Sequence, residues 1–202
     1  MANDVKYIEG VGDMMRLQYV DGRTVFAYPN GRNKWTPLSI GGTTPPVDPP
    51  VTGEWTHPLP GATMTSGYGP RGLDGYHYGT DLATTGAGDP VRALTALVIT
   101  KATDNDTLPG YGSTGAGTHV KGHTLDGAYT FSFFHMVTGS LQVSVGQTVA
   151  AGTVLGTEGA TGNVTGQHVH VEGFNGNHAD PWVPTLTPFD MEPFMLARGV
   201  VL

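Results

Sequence analysis

No long stretch of this chain carries apolar residues at helical spacing, and this constrains its fold more than any other feature. Short runs rich in Val, Thr, Tyr and Phe stand in their place, cut at close intervals by Gly, Asp and Asn. "PVRALTALVITKA", "GAYTFSFFHM" and "QTVAAGTVLGTEG" each have the composition and length of a strand or a strand–turn unit. The chain holds 31 glycines and 15 prolines in 202 residues, so few segments escape interruption for long. The pattern predicts a mostly β protein of antiparallel, sandwich-like sheets. One short helix is expected in the tail "PFDMEPFMLARGVVL", ending near Gly199.

Proline marks the division of the chain. "GGTTPPVDPPVTG" sets four prolines in two pairs among Gly and Thr, which removes ladder donors and favours an extended, semi-rigid linker over residues 41–54. Residues 1–40 before it hold two hairpin signals, Asp21-Gly22 between two strand-like runs and Asn30-Gly31 shortly after. About 40 residues is small for a self-supporting core. A small β-hairpin module used for attachment or binding is expected there. Residues 55–190 form the main domain, and residues 191–202 a tail.

Charge and cysteine usage exclude several classes. The formal charge of −7 argues against a nucleic-acid surface and against simple attraction to anionic membranes or wall polymers. With no cysteine, disulfides and thiolate metal sites are out of reach. No apolar run approaches membrane-spanning length, and "MANDVKYIEG" lacks the basic and apolar segments of a secretory signal. The expectation is a protein that inserts in no membrane and reaches any external target by a route other than a signal peptide.

The polar residues that stand out are histidines. In "TGQHVHVEG", His168 and His170 alternate with apolar residues, so an extended strand turns both to one face about 6.5–7 Å apart. "GLDGYHYGTDLAT" supplies His77 and Asp81, which a straight strand would hold about 13 Å apart. Glycines make a helix improbable there, and a bend near Gly79 would bring the two side chains together. A set of His, Asp and His suits Zn²⁺, with either His170 or His168 as the third protein ligand. His119 and His123 lie four apart in a Gly-rich stretch and read as structural. Glu172, two beyond His170 on the same face, can orient a ligand imidazole or simply face solvent.

From Trp55 to Asp190 the chain resembles the lysostaphin-type zinc metallopeptidases. Four stretches match in the family's order: "TSGYGPRGLDGYHYGTDLAT", "DPVRALTALVITKA", "DGAYTFSFFHM" and "VGQTVAAGTVLGTEGATGNVTGQHVHVEG". Residues 1–50 lie outside the match. The resemblance implies a duplicated-hybrid-motif β fold and a bound zinc ion. It implies that His77, Asp81 and His170 hold the metal and that His135 and His168 form the catalytic pair. It implies, too, an endopeptidase acting on the cross-links or bridges of peptidoglycan. Tyr68 and Tyr111 are candidates to line a substrate cleft.

A wall hydrolase lacking a signal peptide points to a bacteriophage protein, carried on the virion or released at lysis as an endolysin. The small amino-terminal module and the acidic charge favour attachment to tail proteins through residues 1–40. Two other readings share these residues. One is a non-catalytic peptidoglycan-binding module, and the other a structural tail component with a vestigial site.

Overall fold

The structure, a computed structural model, describes residues 5–11, 14–19, 24–27, 54–71, 75–86, 88–106, 115–181, 183 and 185–202. The chain divides into two compact units, Met1–Pro46 and Val47–Leu202. In the first, β1 (Val5–Val11), β2 (Met14–Tyr19) and β3 (Thr24–Ala27) form an antiparallel sheet in the order β1-β2-β3. Asp21-Gly22, between β2 and β3 in sequence, lies outside the described residues, and so do Asn30-Gly31 and the proline-rich stretch. β2 and β3 are the strand-like runs on either side of Asp21-Gly22, and β1 pairs with the other edge of β2.

The second unit is built on a seven-stranded antiparallel sheet. Its strands are β4 (Thr63–Ser66), β7 (Thr80–Ala83), β9 (Leu97–Asp106), β10 (Gly117–Thr124), β11 (Tyr129–Met136), β12 (Thr148–Val149) and β14 (Val169–Asn175). They run in the order β12-β9-β10-β11-β14-β7-β4. Two ribbons accompany the sheet: β5 (Gly69–Pro70) with β6 (Tyr76–His77), and β8 (Pro90–Arg92) with β13 (Val154–Thr157).

Alternation along the central strands sorts their residues between two faces. Phe131 and Phe133 of β11, Val169 and Val171 of β14, Leu82 of β7 and Val120 of β10 enter the hydrophobic core. The intervening positions put Asp81, Lys121, Ser132, Phe134, His170 and Glu172 on the opposite face. All of these are buried. A polar set at the centre of a sheet, under cover, has the makings of a site.

The tail belongs to this core. Helix α1 (Met191–Leu196) starts at Asp190, whose carboxylate accepts from the Glu192 N–H at 3.0 Å. Met191 and Met195 are fully buried. Phe194 stacks on Phe189 at 4.4 Å and meets Trp55 edge-on at 5.4 Å. Arg198 lies 3.5 Å over the Phe194 ring and 4.6 Å over Trp55. Residues near both ends of the unit thus close on one aromatic cluster. Gly173 permits this approach, since a Cβ there would lie 2.5 Å from the Phe189 ring and 2.7 Å from Met191 Sδ.

Candidate metal centre

β14 pairs with β7 so that His170 stands opposite Asp81. His77 arrives from the separate β5–β6 ribbon, which ends at His77, and Tyr78-Gly79 connects it to β7. His77 Nε2 lies 3.1 Å from Asp81 Oδ1 and 3.0 Å from His170 Nδ1, and the latter is 2.7 Å from Asp81 Oδ1. Gly79 contributes in a way that the expected bend did not capture. Its φ is not positive; a Cβ there would sit 2.5 Å from His170 Nε2 and 2.6 Å from the Val171 carbonyl oxygen. The missing side chain is the space that the His170 ring occupies.

Hydrogen bonds fix which ring nitrogens point inward. His77 Nδ1 lies 2.7 Å from the Gly67 carbonyl, which can only accept, so Nδ1 carries the proton and Nε2 presents a lone pair. His170 is turned the other way. Its Nε2 donates to Glu172 Oε1 at 3.4 Å, leaving Nδ1 for the centre. Arg71 donates to Asp81 Oδ2 at 2.8 Å and to Ser66 Oγ at 2.6 Å, so the free carboxylate oxygen is Oδ1.

Three lone pairs therefore converge at 2.7–3.1 Å, an arrangement that demands a positive charge among them. A second proton on His170 is one answer. Burial opposes that charge, but the bonds to Asp81 and Glu172 override it and push the imidazole up to about 9. Burial likewise works against charge on Asp81, and the two histidines still hold its carboxyl far below the usual range. A divalent metal is the other answer. Tetrahedral zinc with N and O ligands at ~2.0–2.1 Å needs donors about 3.3 Å apart. The observed triangle is only slightly tighter than that. Among the described residues, donor atoms of His77, Asp81 and His170 are the ones that gather this way, within 4.8 Å of one another.

Two more imidazoles stand beside this centre. His168 donates from Nδ1 to the Gly166 carbonyl at 3.0 Å, and its Nε2 lies 3.7 Å from Asp81 Oδ1. His135 donates from Nδ1 to the Thr161 carbonyl at 2.9 Å, and its ring centre is 5.0 Å from that of His168 and 6.0 Å from that of His170. Burial, with the neighbouring His170 and His168, pushes His135 down to about 3, so its Nε2 is an acceptor at rest.

His135 reaches the site through a distorted backbone. Phe134 is paired with His170 and packs against its ring at 5.7 Å. Strict alternation would then send His135 to the core face. A bulge intervenes, with the partners of β11 shifting between Thr118/Met136 and Val120/Phe133. His135 adopts φ 67°, and among the described residues it alone does so without being glycine. Such a conformation costs about 1–3 kcal/mol and marks a position where the surroundings impose the geometry. Thr161 supplies much of that support: its carbonyl takes His135 Nδ1, its N–H reaches the His135 carbonyl at 3.3 Å, and its hydroxyl bonds the Met136 carbonyl at 2.6 Å.

The pattern of Peptidase family M23 matches residues 75–181, the stretch that carries all five of these side chains. The chain belongs to peptidase family M23. It is 32% identical over 136 residues to the glycyl-glycine endopeptidase ALE-1 of Staphylococcus capitis, a match covering 66% of this chain and 33% of that protein. The chain thus spans about a third of the length of that relative. Among solved structures, the catalytic domain of lysostaphin from Staphylococcus simulans superposes with a TM-score of 0.54 at 28% identity, covering 67% of this chain and 92% of that one. The catalytic domain of a prophage-encoded M23 protein from Enterococcus faecalis gives 0.52 at 27%, covering 67% and 93%. Zinc is the metal of M23 peptidases, and two imidazoles with one carboxylate suit it.

Other candidates lie apart from this centre. His119 is buried on β10, donating to the Gly117 carbonyl at 3.0 Å, and His123 donates to the Thr124 carbonyl at 2.8 Å. The Tyr68 hydroxyl donates to the Pro188 carbonyl at 2.8 Å, and its ring packs on Tyr76. Tyr111 lies outside the described residues. Glu172, open to two readings from sequence, is buried beneath His170 and is no surface carboxylate. Arg71 and Thr161 had no assigned role. Arg71 sits in the "GYGPR" stretch, which carried a resemblance but no contact, and Thr161 acts mainly through its backbone.

Proposed function

We propose that this chain is a zinc-dependent endopeptidase that hydrolyses the peptide bridges or cross-links of bacterial peptidoglycan. His77, Asp81 and His170 hold the ion, and His135 and His168 move protons. The observation that carries this reading is the convergence of three lone pairs with two further imidazoles beside them. The names of the relatives direct it toward peptidoglycan, and the glycyl-glycine bond named for ALE-1 is the first one to test.

When bound, zinc supplies a Lewis acid that polarises a carbonyl and makes water nucleophilic near neutral pH. The protein's own groups do the rest. Arg71 keeps Asp81 Oδ2 occupied, so Oδ1 stays turned to the centre. His135 and His168 both have Nδ1 committed to backbone carbonyls, which leaves each Nε2 as a proton acceptor of fixed direction. One of them takes the proton of the attacking water, and the imidazolium so formed protonates the leaving amine. Burial of four of the five side chains keeps bulk water from competing for these bonds.

The setting we favour is a bacteriophage lysin, tail-associated or freed at lysis. The prophage-encoded Enterococcus relative supports it, and the net charge of −7 suits docking to a protein assembly through residues 1–40 better than direct adhesion to an anionic wall.

The test pairs zinc content with peptidase rate in three variants. His170→Ala should lose the metal, whereas His168→Ala and His135→Ala should keep it while turnover falls by ~10²–10⁴-fold or more. Retained zinc in His170→Ala with loss in His168→Ala would reverse the assignment, and full activity in all three would end the metalloenzyme reading.

A further inference from the structure

A row of buried charge runs beneath the metal centre. The register pairs Lys101 of β9 with Lys121 of β10, Lys121 with Ser132 of β11, and Ser132 with Glu172 of β14. Directly paired residues project to the same face, so the four stand in one line on the side that carries the site. Phe134 and His170 form the next row. Ser132 is small, so no long side chain separates Lys121 from Glu172, whose charge acts on the Lys121 ammonium.

Lys121 is fully buried. Its Nζ donates to Asp180 Oδ1 at 2.5 Å and to the Pro181 carbonyl at 2.8 Å, and it lies 5.7 Å from the centre of the Phe134 ring. Asp180 Oδ2 takes a second lysine, Lys101, at 2.9 Å. Burial pulls the Lys121 ammonium below the usual lysine range, while the Asp180 bond and the nearby Glu172 charge push it back. An ion pair placed under a sheet gains little net stability over an apolar residue of the same size. Stability alone is a weak reason for a lysine here. Beyond it stands Glu172, whose Oε1 accepts from His170 Nε2.

We propose that Lys121 is a positioning residue for the metal centre: anchored by Asp180, its ammonium holds the Glu172 carboxylate in place, and Glu172 fixes the His170 ring with Nδ1 turned to Asp81 and His77. The proposal rests on His170 being a metal ligand. It extends the support of that ligand from one carboxylate to a chain of groups ending at the half-exposed Asp180.

The experiment is competition for zinc between a chelator and the full chain. Lys121→Met and Glu172→Gln should each weaken zinc binding by ~10–100-fold, the usual effect of removing a group that orients a ligand. Because they act in series, the double variant should lose little more than the worse single one. Lys121→Arg should recover most of the affinity. Asp180→Asn, at a solvent-accessible position, should give a smaller loss and serves if Lys121→Met does not fold. In the zinc-loaded protein, the His170 Nε2–H proton should be visible by NMR and slow to exchange, and it should exchange faster in Lys121→Met or, failing that, in Asp180→Asn. Wild-type affinity in a folded Lys121→Met or in Asp180→Asn, or fully additive losses in the double variant, would overturn the proposal. Wild-type zinc binding by His170→Ala would instead sink the underlying assignment, so the two failures are distinguishable.

Discussion

Replacing Gly79 with alanine adds one methyl group against the His170 ring, which we propose as a metal ligand. The new Cβ would lie 2.5 Å from His170 Nε2, 2.6 Å from Cε1 and 2.6 Å from the Val171 carbonyl oxygen. Ordinary contact begins near 3.4 Å, so something must retreat by about 0.9 Å, and overpacking of this kind costs about 1–3 kcal/mol. The ring is held on both sides, by Asp81 at 2.7 Å and Glu172 at 3.4 Å. A retreat of that size is nearly a third of the 3.0 Å between His170 Nδ1 and His77 Nε2. The strain should therefore appear as lost metal affinity, ~10–100-fold at about 1.4 kcal/mol per tenfold. Gly173→Ala is the matched control. Its Cβ meets Phe189 at the same 2.5 Å, but on the core side of the molecule. Both variants should melt several degrees below wild type without metal. Only Gly79→Ala should bind zinc more weakly once folded, as chelator competition below the melting range would show. Equal zinc affinity in Gly79→Ala and wild type would refute the account of that glycine. An equal loss in both variants would mean general loosening.

Three further outcomes follow from the same contacts. A chain beginning at Gly53 should keep its fold and its peptidase rate on soluble fragments, because the second unit holds all five site residues; an insoluble or inactive product would mean that residues 1–52 complete the core. Met195→Ala should lower stability by about 2–5 kcal/mol, on the order of 10 °C in Tm, with zinc affinity of the folded protein unchanged, because this fully buried side chain belongs to the core and not to the site. Arg71→Leu should weaken zinc binding by about tenfold by releasing Asp81 Oδ2, and Arg71→Lys should recover only part of it, since lysine cannot bridge Ser66 and Asp81 in one plane; unchanged binding in Arg71→Leu would remove Arg71 from the site.

The central strands were legible because alternation is written into them. Val169 and Val171 go to the core, and His168 and His170 go the other way, with no help from the rest of the chain. The convergence of His77 on Asp81 was legible only as a need for a bend. The ribbon that delivers His77 and the void at Gly79 that admits another residue's ring depend on neighbours far off in sequence. His135 shows the limit most clearly. Counting from Phe134 places it on the wrong face, and only a bulge with a positive φ, held by the Thr161 backbone, turns it back. Phe134 sits among aromatic neighbours in sequence, yet it packs against the His170 ring and not in the core with Phe131 and Phe133. Lys121 gave no signal, since its partner Asp180 comes from another segment. The tail had a readable helix, but nothing in its pattern marked Met191 and Met195 as core.

The most direct test of the central claim is the chemistry of the ends released from purified peptidoglycan, followed by mass spectrometry with and without chelator. A zinc endopeptidase should release fragments with a new amino terminus inside the peptide bridge or cross-link, abolished by chelator and restored by added zinc. Fragments with new reducing sugar ends, cleavage between sugar and peptide, or cleavage indifferent to chelator would contradict it.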